Sequence, residues 1–141
     1  MIKILLASHG NLAAGMLASA ELVVGKTDNV EVLCAYVDGE TDVTPRVRSF
    51  INGMLADEEW LVFTDLFGGS VNNEFMNYIS KSNMRLVAGM NLPIVITAIT
   101  AANISEGIDE VISELKEMVS DTVHFCSDIN LIEAAREDED F

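Results

Sequence analysis

The chain has 141 residues, with 8 Lys and Arg against 23 Asp and Glu, and a formal net charge of −15 at pH 7. A length of this order fits one domain, residues 1–141, and with half its residues hydrophobic and a mean hydropathy of +0.30 it can bury a sizeable core, which excludes disorder for the body of the chain. Without a Lys/Arg cluster or a cationic stripe, nucleic acid and anionic lipid are excluded as partners, whereas basic protein faces remain compatible.

Ile2–Ala7 is a short apolar run, as expected of a strand buried on both faces. The period then changes over Asn11–Gly25, where Leu12, Ala13, Met16, Ala20, Val23 and Val24 form one helical stripe that Gly25 ends. Val30–Val37 fits a second strand, closed by Asp38-Gly39 turn chemistry. Thr44-Pro45 predicts an N-cap followed by proline at the first helical position, and Val47, Phe50, Ile51, Met54 and Leu55 supply that helix's apolar face. Trp60–Thr64 is a third strand, after which a helix is expected to about Lys81, burying Phe75, Met76 and Ile79. Met84–Ala88 reads as the fourth strand, and Gly89–Pro93 opens a largely apolar helix. Ser105–Val119 is amphipathic, Thr122–Cys126 reads as a last short strand, and residues 133–141 read as a solvated acidic tail.

Two stretches imitate membrane signals. His9 and Asn11 cut short the apolar start before a leader-like core forms, and Gly89, Asn91 and Pro93 break the uncharged stretch from Leu86 to Ser105. The expected location is the cytoplasm. Cys34 and Cys126 lie far apart among apolar neighbours, which predicts buried reduced thiols. Strands alternating with helices imply βαβ units, hence a small doubly wound α/β domain with a mainly parallel sheet.

Ligands of open α/β sheets bind beyond the carboxyl ends of the strands, at the switch point in strand order. The first strand ends in Ala7-Ser8-His9-Gly10 and the third in Thr64-Asp65-Leu66-Phe67-Gly68-Gly69-Ser70. A strand order 2-1-3-4, assumed from common α/β topologies, makes these ends neighbours and sets His9 beside Asp65. An imidazole that is uncharged near neutrality can act as a nucleophile. A carboxylate bonded to one ring nitrogen fixes the tautomer and leaves the other with a free lone pair. The bland alternatives are an exposed loop histidine and a turn aspartate. Gly68-Gly69-Ser70 at a helix start allows close backbone approach to a phosphoryl group, with Ser70 either capping the helix or donating to a phosphate oxygen. No P-loop lysine pattern, G-x-G-x-x-G or metal-ligand spacing is present, so no nucleotide, metal or other cofactor is expected. His124 reads as a strand or edge residue without a functional role.

Ser8-His9-Gly10, then Asp65–Ser70, then Ala88–Pro93, in this order and spacing, resemble the mannose-type IIA domain of the bacterial phosphoenolpyruvate-dependent sugar phosphotransferase system. The resemblance covers nearly the whole chain. It implies that His9 accepts a phosphoryl group from the histidine-containing phosphocarrier protein and passes it to a IIB component, with Asp65 as its hydrogen-bond partner. It further implies that Gly68, Gly69 and Ser70 lie around the phosphoryl group, with Asn73 on the same helix and the Gly89–Pro93 turn flanking the site. Ser8 and Gly10 are expected among the phosphoryl-binding residues, Ser8 as a donor where Leu66 offers no hydroxyl. Family members are typically dimeric through exchange of a C-terminal strand, so a homodimer with Thr122–Cys126 at the interface is expected. The chain reads as a separate IIA subunit, peripheral to a membrane transporter. Two departures stand out: Val71 where proline often follows Gly-Gly-Ser, and Leu66 where some members carry a hydroxyl. Two rival readings are a flavodoxin-like signalling domain phosphorylated on Asp65, and the IIA-like subunit of dihydroxyacetone phosphorylation. The first lacks the acidic cluster such a domain needs after its first strand. Gly10 and the Gly89–Pro93 motif favour the sugar system over the second.

Overall fold

In the computed structural model, residues 1–129 are described, and strand and helix alternate as far as the first of two consecutive C-terminal helices. The elements are β1 (Ile2–His9), α1 (Leu12–Val24), β2 (Val30–Ala35), α2 (Thr44–Asn52), β3 (Glu59–Thr64), α3 (Ser70–Met76), β4 (Met84–Ala88), α4 (Leu92–Ile104) and α5 (Ile108–Met118). Short 3-10 turns follow at Val119–Asp121 and Cys126–Asp128. The four strands form one parallel sheet in the order β2-β1-β3-β4, the assumed 2-1-3-4.

Successive strand side chains point to opposite faces, and the core divides accordingly. Ile2, Ile4 and Leu6 of β1 with Leu61 and Phe63 of β3 pack under α1, α4 and α5. Leu5 and Ala7 with Trp60 and Val62 face Val47 of α2 and Val71 and Phe75 of α3. Both faces of the central strands are thus dry, which explains why they read as continuous apolar runs rather than alternating ones. Each large side chain fully removed from water contributes about 1.5–3 kcal/mol. No helix among the described residues is long and apolar enough to cross a membrane.

Several local expectations are corrected. The N-cap of α2 is Val43, and Thr44 already lies inside the helix, its hydroxyl donating to Glu74 Oε2 at 3.2 Å. The helix after the third strand stops at Met76 and continues to Lys81 only as turns, leaving Met76 and Ile79 exposed. Val23 and Leu55 are likewise exposed. Cys34 is half-buried and Cys126 is exposed, so only the free state of the two thiols matches the expectation.

Thr122–Cys126 is not a strand. Its first residue is tied down locally: the Thr122 hydroxyl donates to the Val119 carbonyl at 2.8 Å and accepts from Asn91 Nδ2 at 3.0 Å. These bonds favour a tight turn over an extended segment. His124 accordingly sits in this irregular stretch, its Nε2 2.6 Å from the Asp121 carbonyl. The acidic tail, residues 133–141, lies outside the described residues.

Candidate functional site

Because β1 lies between β2 and β3, its carboxyl end is flanked by both neighbouring strand ends, and His9 is its last residue. Two short loops converge on the imidazole. After β3 the chain runs through Asp65 and the Gly68-Gly69 turn into α3, and after β2 it turns at Tyr36.

Asp65 Oδ2 accepts the His9 backbone N–H at 2.8 Å and lies 3.0 Å from Nδ1 of the ring. Asp65 Oδ1 is buried without a hydrogen-bond partner among the described residues, so the carboxylate acts through Oδ2, toward the histidine. A carboxylate only accepts, so Nδ1 carries the proton and Nε2 of the neutral ring presents its lone pair. Nε2 lies 3.1 Å from Ser70 Oγ.

At Gly69 the backbone passes close beside the ring. A β-carbon built there would stand 3.1 Å from His9 Cε1 and 3.2 Å from the Leu66 carbonyl oxygen, so a side chain would press on the imidazole. Its neighbour Gly68 has φ +80°, a left-handed conformation that suits glycine. Beneath this loop a buried bond from Thr64 Oγ1 to Asn72 Oδ1, 2.8 Å, ties the end of β3 to α3. It therefore fixes the spacing of Asp65 and Ser70 on the two sides of the imidazole. The turn after β4 is fastened to the same strand end, since Gly89 and Met90 both donate backbone N–H groups to the Thr64 carbonyl at 3.0 Å. Asn91 caps α4 by accepting from the Ile94 N–H.

His9, Asp65, Gly69 and Ser70 thus come together as the sequence suggested, but two assignments change in detail. Ser70 does not cap α3, whose N-cap is Gly69, and its hydroxyl faces His9 instead. Ser8 is fully buried: its hydroxyl donates to the Gly10 carbonyl and accepts the Ala13 N–H at 2.8 Å. It holds the start of α1 and does not reach the ring. Gly10 lies one residue beyond His9 with φ +61°, its N–H bonded to the Ala35 carbonyl. Asn73 Nδ2 donates to the Gly68 carbonyl and steadies the turn from below.

One site residue escapes the sequence reading. The Tyr36 ring lies 5.4 Å from the imidazole, centroid to centroid, and its hydroxyl is 2.7 Å from Ser70 Oγ. The run Val30–Val37 reads as uninterrupted strand and hides the left-handed turn at Tyr36. The one available signal is its place, directly after the strand that borders β1.

Fold and site together define a class of parallel α/β domain in which a partly exposed imidazole stands between a carboxylate and a hydroxyl, above a Gly-Gly turn, at the carboxyl end of the sheet. Comparison with known proteins gives that class its family. The chain matches the family described as PTS system fructose IIA component over residues 3–116. It is 22% identical to the fructose-specific IIA component of Bacillus subtilis over 142 aligned positions, covering 98% of this chain and 96% of that protein. It is also 31% identical to the sorbose-specific IIA component of Klebsiella pneumoniae over 97 positions, covering 67% of this chain and 70% of the relative. The crystal structure of the phosphotransferase system IIA component from Streptococcus agalactiae superposes with a TM-score of 0.78 at 26% identity, covering 92% of this chain and all of that one. The chain belongs to the mannose/fructose-type IIA family of the sugar phosphotransferase system.

Proposed function

We propose that this chain relays a phosphoryl group through Nε2 of His9, accepting it from the phosphorylated histidine-containing carrier protein and yielding it to a IIB component during sugar uptake. One observation carries the reading: the imidazole is oriented from both sides, with Nδ1 on Asp65 and Nε2 turned toward the hydroxyl of Ser70. The side chain of His9 is 41% exposed and that of Asp65 11%, so the histidine is the accessible acceptor. That ratio weighs against a signalling domain phosphorylated on the aspartate. Leu66 and Phe67, both exposed beside the site, offer apolar contact to a protein partner rather than to a sugar. Work of this kind is mostly positioning and charge stabilisation. Gly68, Gly69 and Ser70 are the residues assigned to the phosphoryl oxygens.

We further propose a homodimer. The outer edge of β4 has no strand partner among the described residues, and a groove of about 420 Å³ beside it is lined by Leu86, Ile94, Ile112, Leu115 and Val119. The segment after α5 exposes Val123 and Phe125 and supplies apolar side chains for such a contact. Exposed sheet edges are usually covered.

Incubation with phosphoenolpyruvate, the first enzyme of the system and the carrier protein tests the relay. Intact mass is expected to rise by one phosphoryl group, with a label stable in alkali and lost in acid. His9→Ala abolishes the gain and His124→Ala leaves it. A wild-type chain that takes up nothing while a control IIA protein is labelled overturns the reading, as does a hydroxylamine-sensitive label that survives His9→Ala.

A further inference from the structure

We propose that Tyr36 is a positioning residue of this transfer site: its hydroxyl holds the Ser70 hydroxyl aimed at His9 Nε2. The inference rests on the relay reading above and adds a residue to it.

Counting protons sets the direction of every bond in the chain of contacts. Nδ1 faces a carboxylate and carries the proton, so Nε2 of the neutral ring has only a lone pair to offer. The hydrogen in the 3.1 Å contact with Ser70 therefore belongs to the serine hydroxyl. That hydroxyl has a single hydrogen, now used, so across the 2.7 Å contact Tyr36 donates and Ser70 accepts. The result is a one-way series from the Tyr36 hydroxyl to the Ser70 hydroxyl to Nε2, with Nδ1–H to Asp65 on the far side. Without the phenol, the serine hydroxyl is free to rotate away from the ring.

The backbone of Tyr36 indicates that this placement is built. Its φ of +63° is left-handed, a conformation that a bulky L-residue rarely adopts. It is held by a bond from its own N–H to Glu40 Oε1 at 2.9 Å. Arg46 secures the same carboxylate oxygen at 3.0 Å and the Cys34 carbonyl at 2.9 Å. The turn swings the phenol across the end of β1 to reach a serine on α3. Strained residues that are over-determined by their surroundings cluster at functional sites.

During transfer the Nε2 lone pair forms the new N–P bond as the donor's N–P bond breaks, and the electron pair of the broken bond stays on the donor nitrogen. Nδ1 keeps its proton, and Asp65 balances the positive charge of the ring. No proton leaves the site. The Ser70 hydroxyl, displaced from Nε2, donates to a phosphoryl oxygen while still accepting from Tyr36.

Single-turnover transfer from phosphorylated carrier protein is measured for the wild type, Tyr36→Phe, Ser70→Ala and the double variant, with His9→Ala as control. Tyr36→Phe keeps the ring and is expected to slow the rate constant about three- to tenfold, the worth of one hydrogen bond, at an unchanged half-saturating carrier concentration. In the Ser70→Ala background the same substitution costs nothing further, because Tyr36 acts only through the serine. Wild-type rate in Tyr36→Phe overturns the proposal, and so does an equal loss in both backgrounds. Nitrogen-15 NMR of the unphosphorylated wild type provides a check that needs no variant: Nδ1 is expected protonated and Nε2 bare, and the opposite tautomer overturns the proposal. Phosphoryl uptake that survives His9→Ala brings down the relay reading itself, whereas His9-dependent uptake indifferent to Tyr36 brings down this inference alone.

Discussion

A single oxygen, Asp65 Oδ2, receives both the backbone amide and the ring Nδ1 of His9, at 2.8 and 3.0 Å. The strand end and the imidazole are therefore positioned by the same atom. Asp65→Asn leaves an amide oxygen able to accept both bonds but removes the charge that stabilises the imidazolium. Hydrogen bonds to charged groups are worth about 1.5–3 kcal/mol, so transfer through His9 is expected to slow by about tenfold to a hundredfold. The fold and the site of labelling stay the same. Timed labelling with acid and hydroxylamine treatment checks this, and a shift of the label away from His9 would reverse the two roles.

Gly69→Ala tests how tightly the loop is fitted to the ring. The added methyl meets His9 Cε1 at 3.1 Å and a backbone oxygen at 3.2 Å, so either the imidazole or the turn moves by a few tenths of an ångström. Nε2 then loses its alignment with Ser70. Displacements of about 1 Å can cost a hundredfold in rate, and this smaller one is expected to cost several-fold to tenfold. Thermal stability should change little, since Gly69 has an ordinary φ of −70°. A wild-type transfer rate in the alanine variant would show that the ring is not gripped here.

How much of this was legible in the sequence depended on whether a feature was periodic or local. The apolar runs of β1 and β3 survive in the sequence because both of their faces are dry, and with the 2-1-3-4 order they place His9 beside Asp65. Tyr36 carries no such signal, because its left-handed turn is imposed by Glu40 and Arg46 from outside the strand. Ser8 is expected to donate to the phosphoryl group where Leu66 offers no hydroxyl. Adjacent strand residues point to opposite faces, however, and its hydroxyl is spent on Ala13 and Gly10. The segment Thr122–Cys126 has the composition of a strand, but its geometry is decided by a contact with Asn91 from 31 residues earlier.

At the other end of the sheet an ion pair ties the fold to pH. Lys3 Nζ lies 2.8 Å from Glu58 Oε1, while Glu58 Oε2 accepts from the Leu55 N–H and the Trp60 indole. The Lys3 hydrogen bond, then those two donors, lower the Glu58 carboxyl from its ordinary 4.5 to about 2. A depressed carboxyl stabilises the fold fully above its unfolded value and loses that contribution as pH falls from about 4.5 through about 2. Lys3 is raised above its ordinary 10.5 by the same partner, so its share persists through neutral pH and is lost only in strong alkali. Glu58→Gln is expected to flatten the acid limb of a urea-midpoint-against-pH profile. Transfer through His9, at the opposite end of β1, is expected to be unaffected at neutral pH. Parallel acid limbs in wild type and variant would refute the assignment.

The assembly prediction turns on what covers the outer edge of β4. The apolar groove beside that edge is lined in part by Val119, four residues before Val123 in the segment that exposes Val123 and Phe125. Sheet edges left open invite pairing with another chain, and two copies offering the same edge and the same segment meet naturally about a two-fold axis. Sedimentation equilibrium at micromolar concentration is expected to give about twice the 15.3 kDa mass of one chain. The double variant Val123→Asp, Phe125→Asp places like charges at the proposed contact in a chain already at −15, and should shift the equilibrium toward monomer. His9 lies at the strand end rather than on this edge, so the dissociated chain should still accept a phosphoryl group. A wild-type monomer at these concentrations would overturn the dimer, and a variant that remains fully dimeric would move the interface away from this segment.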